Sequence, residues 1–167
     1  MAELGPTDGS LVVQTYREGV AAKVGHDLVI DVTSWQATLD DQRVQLTADP
    51  RSLRVREGHR GVKPLSDRDR DEIRKNIDDK VLRGQPISFA GTVTGQGDTL
   101  DIDGELTMAG TTRPLRTGMQ VTADGRATAT LTLKDSDWGI KPYRGMMGAL
   151  KVRDELEVVL DVRLPGT

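Results

Sequence analysis

Apolar and polar residues alternate along most of this chain, and the alternation is most regular in residues 150–164. Apolar side chains occupy the even positions of that run and charged ones the odd positions, with Asp154 and Val159 as the exceptions. A period of two residues is typical of a β-strand with one buried face and one face in solvent. The residues predicted to point inward are Leu156, Val158 and Leu160, and those predicted to point outward are Glu155 and Glu157.

The same alternation predicts about eight strands in all, and two of them contain an interruption. The apolar row changes face near Thr33 and Ser34, which indicates a β-bulge that bends the strand. Pro50 interrupts the next strand, because proline is confined to strand edges, bends and bulges. A turn is predicted at residues 110–114. The remaining strand segments are 11–16, 27–39, 44–55, 87–93, 100–108, 115–121 and 126–134.

One segment, residues 67–83, carries the signals of an α-helix. Ser66 is a favourable N-cap, and acidic residues in the first turns complement the helix dipole. Ile73, Ile77 and Val81 form a single narrow apolar stripe. So narrow a stripe predicts a helix that lies on a surface and covers it, and not one that forms the core of a bundle.

The strand pattern indicates the fold class. Nearly every strand has a polar face, which excludes a parallel sheet buried on both sides. Consecutive strands joined by short turns favour an up-and-down barrel over a sandwich. We therefore predict one mainly-β domain over residues 1–167, an eight-stranded antiparallel barrel with one helix inserted at about 66–83. The small residues on the predicted inward rows, which favour space for one small ligand, are Gly91, Gly104, Ala127 and Ala129.

Composition excludes several classes of function. A net charge of −3 and a pI near 5.4, with no basic stripe, argue against nucleic-acid binding. The absence of cysteine excludes disulfides, thiolate metal sites and a thiol nucleophile. No window approaches 18 uninterrupted apolar residues, and the first residues lack the pattern of a secretory leader. We expect a cytoplasmic protein without a transmembrane segment, or a secreted or periplasmic one if a leader was removed.

The residues available for catalysis are few. The chain contains 2 histidines and no serine in a GxSxG pattern. His26 and Asp27 are adjacent, so on a strand they face opposite ways and do not act as a base and its orienting acid. His26 and His59 show no metal-ligand spacing; we interpret His59 as a solvated loop residue and His26 as either a backbone contact or a polar contact near the barrel mouth. We expect a protein that is not an enzyme and has no cofactor or metal.

Four motifs together resemble a known family. GHDL is followed by a tryptophan seven residues beyond its leucine, and then come RDEIRKNIDDKVLRGQPISFAGTV, GELTMAGTTRPL and DSDWGIKPYRGMMGALKVRDELEV. Their order and spacing resemble the YceI-like family of lipocalin-shaped barrels, over residues 10–164. The resemblance implies an extended antiparallel barrel that carries a polyisoprenoid or a similar long-chain amphiphile.

A tunnel through such a barrel is expected to hold the tail of the ligand. Aromatic residues make up only 3% of the chain, so the lining is expected to be mainly aliphatic with some methionine. Large inward residues are equally interpreted as ordinary core, because the core and the tail site of a lipid carrier share residues. The residues predicted to line the tunnel are Trp35, Phe89, Leu106, Met108, Met119, Leu131, Trp138 and Val158.

A loop rich in glycine and methionine precedes the last strand and is predicted to form the rim. Methionines between Gly145 and Gly148 offer an adaptable apolar surface, with buried methionine plugs as the alternative. Basic residues near the turns are expected to select an anionic head group. The predicted rim residues are Lys23, His26, Arg113, Lys141, Tyr143, Arg144, Met146 and Met147.

Two functions of different classes remain open from the sequence. The first is non-enzymatic carriage of a polyisoprenoid, an isoprenoid quinone or a fatty-acid-like lipid. The second is an interaction or stress-response module whose barrel is filled by its own side chains and whose charged helix docks a partner. The interior volume distinguishes the two, and a homodimer is compatible with either.

Overall fold

The computed structural model describes residues 2–18, 27–59, 65–95, 97–141, 144–145 and 150–165. The strands of the first half are β1 (Ala2–Leu4), β2 (Gly9–Thr15), β3 (Arg17–Glu18), β4 (Asp27–Val32), β5 (Trp35–Asp40), β6 (Arg43–Ala48) and β7 (Leu53–His59). Those of the second half are β8 (Ile87–Thr94), β9 (Thr99–Met108), β10 (Thr111–Val121), β11 (Arg126–Lys134), β12 (Arg144–Gly145), β13 (Leu150–Val152) and β14 (Glu155–Arg163). Between the halves lies α1 (Asp67–Asn76), which continues as one π-helical turn (Ile77–Val81).

The strands form one large curled sheet and one small sheet. Eleven strands make the large sheet in the order β1-β5-β6-β8-β9-β10-β11-β14-β2-β4-β7, and β12-β13-β3 make the small one. Every pairing is antiparallel. The predicted class, a mainly-β antiparallel fold with one helix, is confirmed.

The large sheet has eleven strands where the sequence predicts eight, because two predicted strands are each divided at a corner. β4 and β5 are separated at Thr33–Ser34, and β6 and β7 at residues 49–52. The corner is held by hydrogen bonds from Thr33 N to Ser52 O (2.9 Å) and from Asp49 N to Ser34 O (3.0 Å). The predicted change of face near Thr33 is therefore a complete break in the strand. A register shift does occur nearby, in the pairing of β4 with β7, but it lies between Val29 and Ile30. The short β1 accounts for the eleventh strand.

The corner makes the sheet curl. One half of the bent hairpin, β4 with β7, pairs with β2 at one end of the strand order. The other half, β5 with β6, pairs with β8 near the opposite end. β4 continues along the chain into β5, and β6 into β7, so the corner holds the two ends of the strand order together. The sheet therefore encloses an interior.

The connection between β9 and β10 is tighter than predicted. Ala109 and Gly110 have φ angles of 52° and 80°, and Met108 is opposite Thr111. Two consecutive residues with positive φ are typical of a two-residue type I′ hairpin turn. The expected turn at 110–114 is thus wrong, since Thr111 already begins β10. Pro114 fits in this strand because β10 pairs with β11 at only Gln120 and Val121, which leaves the backbone edge at Pro114 unpaired.

The helix begins as predicted and ends earlier. The Ser66 hydroxyl accepts from Asp69 N (3.1 Å), and the Asp69 carboxylate accepts from Ser66 N (3.0 Å), which together form a capping box. The helical segment ends at Val81 and not at residue 83, because Arg83 has a φ of 54° and stands in the left-handed region. Arg70 ties the helix to the sheet: its Nη1 donates to the carbonyl of Val55 (3.0 Å) on the edge strand β7.

The alternation in β14 is confirmed. Leu156, Val158 and Leu160 face the interior of the sheet. Glu155 is exposed on the other face. Glu157, on that same outer face, is half-buried, and burial, followed by the negative charge of Glu157, raises the pKa of Tyr16.

A pair of glycines lets β8 and β9 lie close together. Gly91 is directly opposite Gly104, and the ring of Phe89 lies over both. A Cβ atom on Gly104 would lie 2.2 Å from Ala90 O and 2.8 Å from Phe89 Cζ. Any side chain at this position would therefore push the two strands or the aromatic ring apart.

This packing predicts a large difference between two glycine substitutions. We expect Gly104→Ala to lower the free energy of unfolding by about 1–3 kcal/mol, because the new methyl group overpacks the interior. Gly118→Ala in β10 is the matched control, since its Cβ would meet only Leu100 O at 3.9 Å. Urea denaturation measures both variants. Equal stability of the two would show that the close approach of β8 and β9 is wrong.

Candidate functional site

The curled sheet encloses a cavity of about 910 Å³. This volume is near the upper end of the range for small-molecule sites, about 300–1,000 Å³. The inward rows of the strands supply an almost entirely aliphatic wall. Aliphatic residues of the wall include Leu11, Val13, Leu28, Ile30, Leu46, Ile102, Leu115, Leu131, Leu156, Val158 and Leu160.

The helical segment covers part of the cavity. Ile73, Ile77 and Val81, the predicted apolar stripe, all border the cavity, so the expected covering role is confirmed. Ile77 is also part of the buried core. The charged residues of the helical segment that reach the cavity are Asp69, Glu72, Lys75, Asp79 and Lys80.

Most of the residues predicted for the tunnel border the cavity, and the two tryptophans do not. Trp138 is 3% exposed and its Nε1 donates to Leu106 O at 2.9 Å, which holds the indole inside the wall. Trp35 is 5% exposed and begins β5 just after the corner, within the core. The tryptophans therefore leave the interior open. The predicted tunnel residues that do border the cavity are Phe89, Leu106, Met108, Met119, Leu131 and Val158.

The predicted rim is only partly described by the structure. Lys141 is exposed and borders the cavity, whereas Arg113 is exposed on β10 and does not border it. Arg144 lies in the short strand β12, and His59, predicted in a loop, is the last residue of β7. Lys23, His26, Tyr143, Met146 and Met147 lie outside the described residues. The ligand-binding roles of all these residues stay predictions.

Asp135 is a buried acid in the cavity wall that the sequence analysis did not select. It follows β11, borders the cavity and is only 9% exposed. Among the described residues its carboxylate makes no hydrogen bond and no ion pair. Burial, and then the negative charge of Asp154, raise the pKa of Asp135 to about 7. Asp154 itself accepts from Ser136 Oγ (2.6 Å) and Ser136 N (2.8 Å), which fixes the position of its carboxylate.

Thr15 is a second polar group at the same end of the cavity. Its Oγ1 is buried without a hydrogen-bond partner in the described chain, and the residue borders the cavity at the end of β2. β14 lies between β2 and β11, with Glu157 opposite Gln14 and Leu156 opposite Leu133. This register places Thr15 and Asp135 on either side of β14, near its first residues.

The strand alternation contains the signal for both residues. Ala129, Leu131 and Leu133 form the inward row of β11, and Asp135 is the next residue of the same parity. Thr15 likewise continues the inward row of β2.

Among the residues that the structure describes, no group of three or more His, Asp or Glu side chains is placed to hold a metal ion. None of the described helices has the length and apolar character needed to span a membrane.

The raised pKa of Asp135 predicts how stability depends on pH. Its pKa in the folded protein is about 7, against about 3.9 in an unfolded chain, so the folded state binds more protons between these values. The ligand-free protein should therefore lose stability as pH rises from about 4 to about 7, by roughly 4 kcal/mol from this group. Asp135→Asn should remove that loss, measured by urea denaturation across the pH range. Asp137→Asn, at an exposed position of the same turn, is the control and should keep the wild-type profile.

Comparisons with known proteins agree with this architecture. No curated protein matches the chain. The structure is similar to BcnA from Burkholderia cenocepacia, with a TM-score of 0.60, 15% sequence identity, and coverage of 91% of this chain and 94% of that chain. It is also similar to the YCEI protein from Campylobacter jejuni, with a TM-score of 0.58, 12% identity, and coverage of 83% and 85%. At these identities the likeness shows the fold alone. The model of the YceI-like domain matches residues 8–164, and the chain therefore belongs to the YceI-like domain family.

Proposed function

We propose that this protein binds and carries a long-chain amphiphile, whose tail occupies the cavity and is not chemically altered. The observation that carries the proposal is the open interior of about 910 Å³ with its aliphatic wall. Polyisoprenoids, isoprenoid quinones and fatty-acid-like lipids all have tails of the required character.

Burial of the tail supplies the binding free energy. Each methylene group removed from water contributes about 0.8 kcal/mol, so a ten-carbon tail contributes about 8 kcal/mol before the cost of ordering it.

The chemistry of the lining supports carriage over catalysis. The described residues that border the cavity include neither histidine nor serine. Membership of the YceI-like family and the resemblance of the motifs to lipid carriers favour the same function.

The open cavity counts against the alternative, an interaction module with a filled barrel. That function requires the large side chains to occupy the interior. Trp35 and Trp138 lie in the wall and core instead. Next to Phe89, Gly91 and Gly104 have no side chains that could fill the interior.

Native mass spectrometry of the freshly expressed protein tests the proposal most directly. We expect adducts of lipid mass that are removed by organic extraction. Binding of a homologous series of uncharged alcohols to the extracted protein should then tighten by about fourfold per added methylene, because each one buries more apolar area. Affinity that does not depend on chain length would contradict tail burial.

A cavity-filling substitution provides a second test. Leu131→Trp places a large ring where Leu131 now borders the cavity, and it should weaken binding of N-phenyl-1-naphthylamine by about tenfold or more, since the ring and the probe compete for the same volume. Thr132→Trp, on the exposed face of the same strand, is the control. Probe fluorescence measures affinity and a melting curve checks that both variants fold. Equal affinities of the two variants would show that the probe binds elsewhere.

A further inference from the structure

We propose that the end of the cavity bordered by Asp135 and Thr15 is a head-group site that accepts an uncharged, hydrogen-bonding head and disfavours an anionic one. The inference rests on the proposed function, because it names which amphiphiles the cavity selects. It differs from the prediction from the sequence, in which a basic rim selects an anionic head.

The first step is the position of the Asp135 carboxyl group. The residue is 9% exposed, borders an apolar cavity and has no hydrogen-bond or ion-pair partner among the described residues. Burial of an unpaired carboxylate is unfavourable, so the neutral acid is the preferred form in this place. A neutral carboxyl both donates and accepts a hydrogen bond. It is therefore suited to a carbonyl, hydroxyl or amide group at the end of an apolar tail.

The second step is a separate observation, that the buried Thr15 hydroxyl lacks a hydrogen-bond partner. A buried hydroxyl without a hydrogen bond is unfavourable, and native structures nearly always satisfy such groups. Thr15 Oγ1 is buried and has no partner in the described chain. A ligand head at this end of the cavity would satisfy Thr15 and Asp135 together, because the strand register places them on either side of β14.

The third step is the distribution of charge around Asp135. Besides burial, the group that raises the pKa of Asp135 is Asp154, before β14, and its charge is negative. On β10, Arg113 is exposed and Arg116 pairs with Asp103 at 3.0 Å. The other charged groups near this end are Lys134 and Asp137 on exposed positions of its own segment, and Lys141 at the border of the cavity. Arg17 begins β3 and also borders the cavity, and its backbone N donates to Oδ1 of the buried Asp27 at 2.8 Å.

These charges disfavour an anion at the inner site. An anionic head beside Asp135 would meet Asp154 and would force the carboxyl to stay protonated. The cations that border the cavity are Arg17, Lys75, Lys80 and Lys141. Arg17 is half-buried beside the acid Asp27, whereas the three lysines are exposed, so an anion that binds the lysines stays near solvent. A head group that binds at Asp135 should be uncharged, whereas one that binds at the lysines should be anionic.

The experiment compares three head groups on the same twelve-carbon tail. It measures how well each compound displaces N-phenyl-1-naphthylamine from the extracted protein, at pH values below and above 7. The compounds are dodecanol, dodecyl methyl ketone and dodecanesulfonate. We expect the alcohol and the ketone to bind about tenfold tighter than the sulfonate. The ketone only accepts hydrogen bonds, so its affinity should fall as pH rises and Asp135 ionises. The alcohol also donates, and its affinity should change less.

Substitutions at Asp135 and Thr15 test whether the head group of the ligand binds there. Asp135→Asn keeps a hydrogen-bond donor without ionising, and it should make ketone affinity independent of pH. Thr15→Val keeps the shape of the side chain and should weaken alcohol binding by about threefold or more, as expected for loss of one hydrogen bond. Asp137→Asn and Thr130→Val are exposed controls and should behave as wild type.

The outcomes separate this inference from the proposed function. If the sulfonate binds as tightly as the alcohol, and Asp135→Asn changes neither preference nor pH dependence, the head lies at the lysines and the inference is wrong while tail burial stands. If none of the three compounds displaces the probe, the proposed function itself is wrong.

Discussion

The corner between the two halves of the bent hairpin is the constraint on which the rest of the structure depends. Ser52, only 5% exposed, is its centre: its Oγ donates to the Asp49 carbonyl at 2.8 Å, and its carbonyl accepts from Thr33 Oγ1 at 2.7 Å. Breaking two strands at one place leaves backbone groups without ladder partners, and these bonds satisfy them. Because the hairpin then pairs with β2 on one side and β8 on the other, the sheet curls around a space instead of lying flat.

The wall of that space is built so that its large side chains do not enter it. The Phe89 ring lies against the Gly91–Gly104 pair, where a Cβ atom on either glycine would come within 3.0 Å of its Cζ. Trp138 is held by its bond to Leu106 O, in the region where β10 and β11 diverge. The helical segment contributes only a narrow apolar stripe. A volume of about 910 Å³ remains, large enough for an apolar tail.

Asp135 and Thr15 place buried polar groups without a partner in this largely apolar wall, and each is unfavourable for folding alone. A buried carboxyl and an unpaired hydroxyl lower the stability of the ligand-free protein. Local rules of sequence and structure are most often broken at functional sites, where binding compensates the cost. The same acid that weakens the empty protein at high pH gives the site its preference for a neutral head.

The sequence by itself determined which face of each strand is inward, because side-chain direction in a strand has a period of two residues and needs no distant contact. The inward rows of β11 and β14 were predictable for that reason. The stripe of Ile73, Ile77 and Val81 and the N-cap at Ser66 were predictable because they too depend only on residues close in the sequence. Tertiary structure decided the rest. The division into eleven strands depends on contacts between residues 33–34 and 49–52. The place of Trp138 depends on the Leu106 carbonyl, 32 positions away. The significance of Asp135 arises only when the curled sheet removes it from water, since burial is a property of the whole fold and not of any segment.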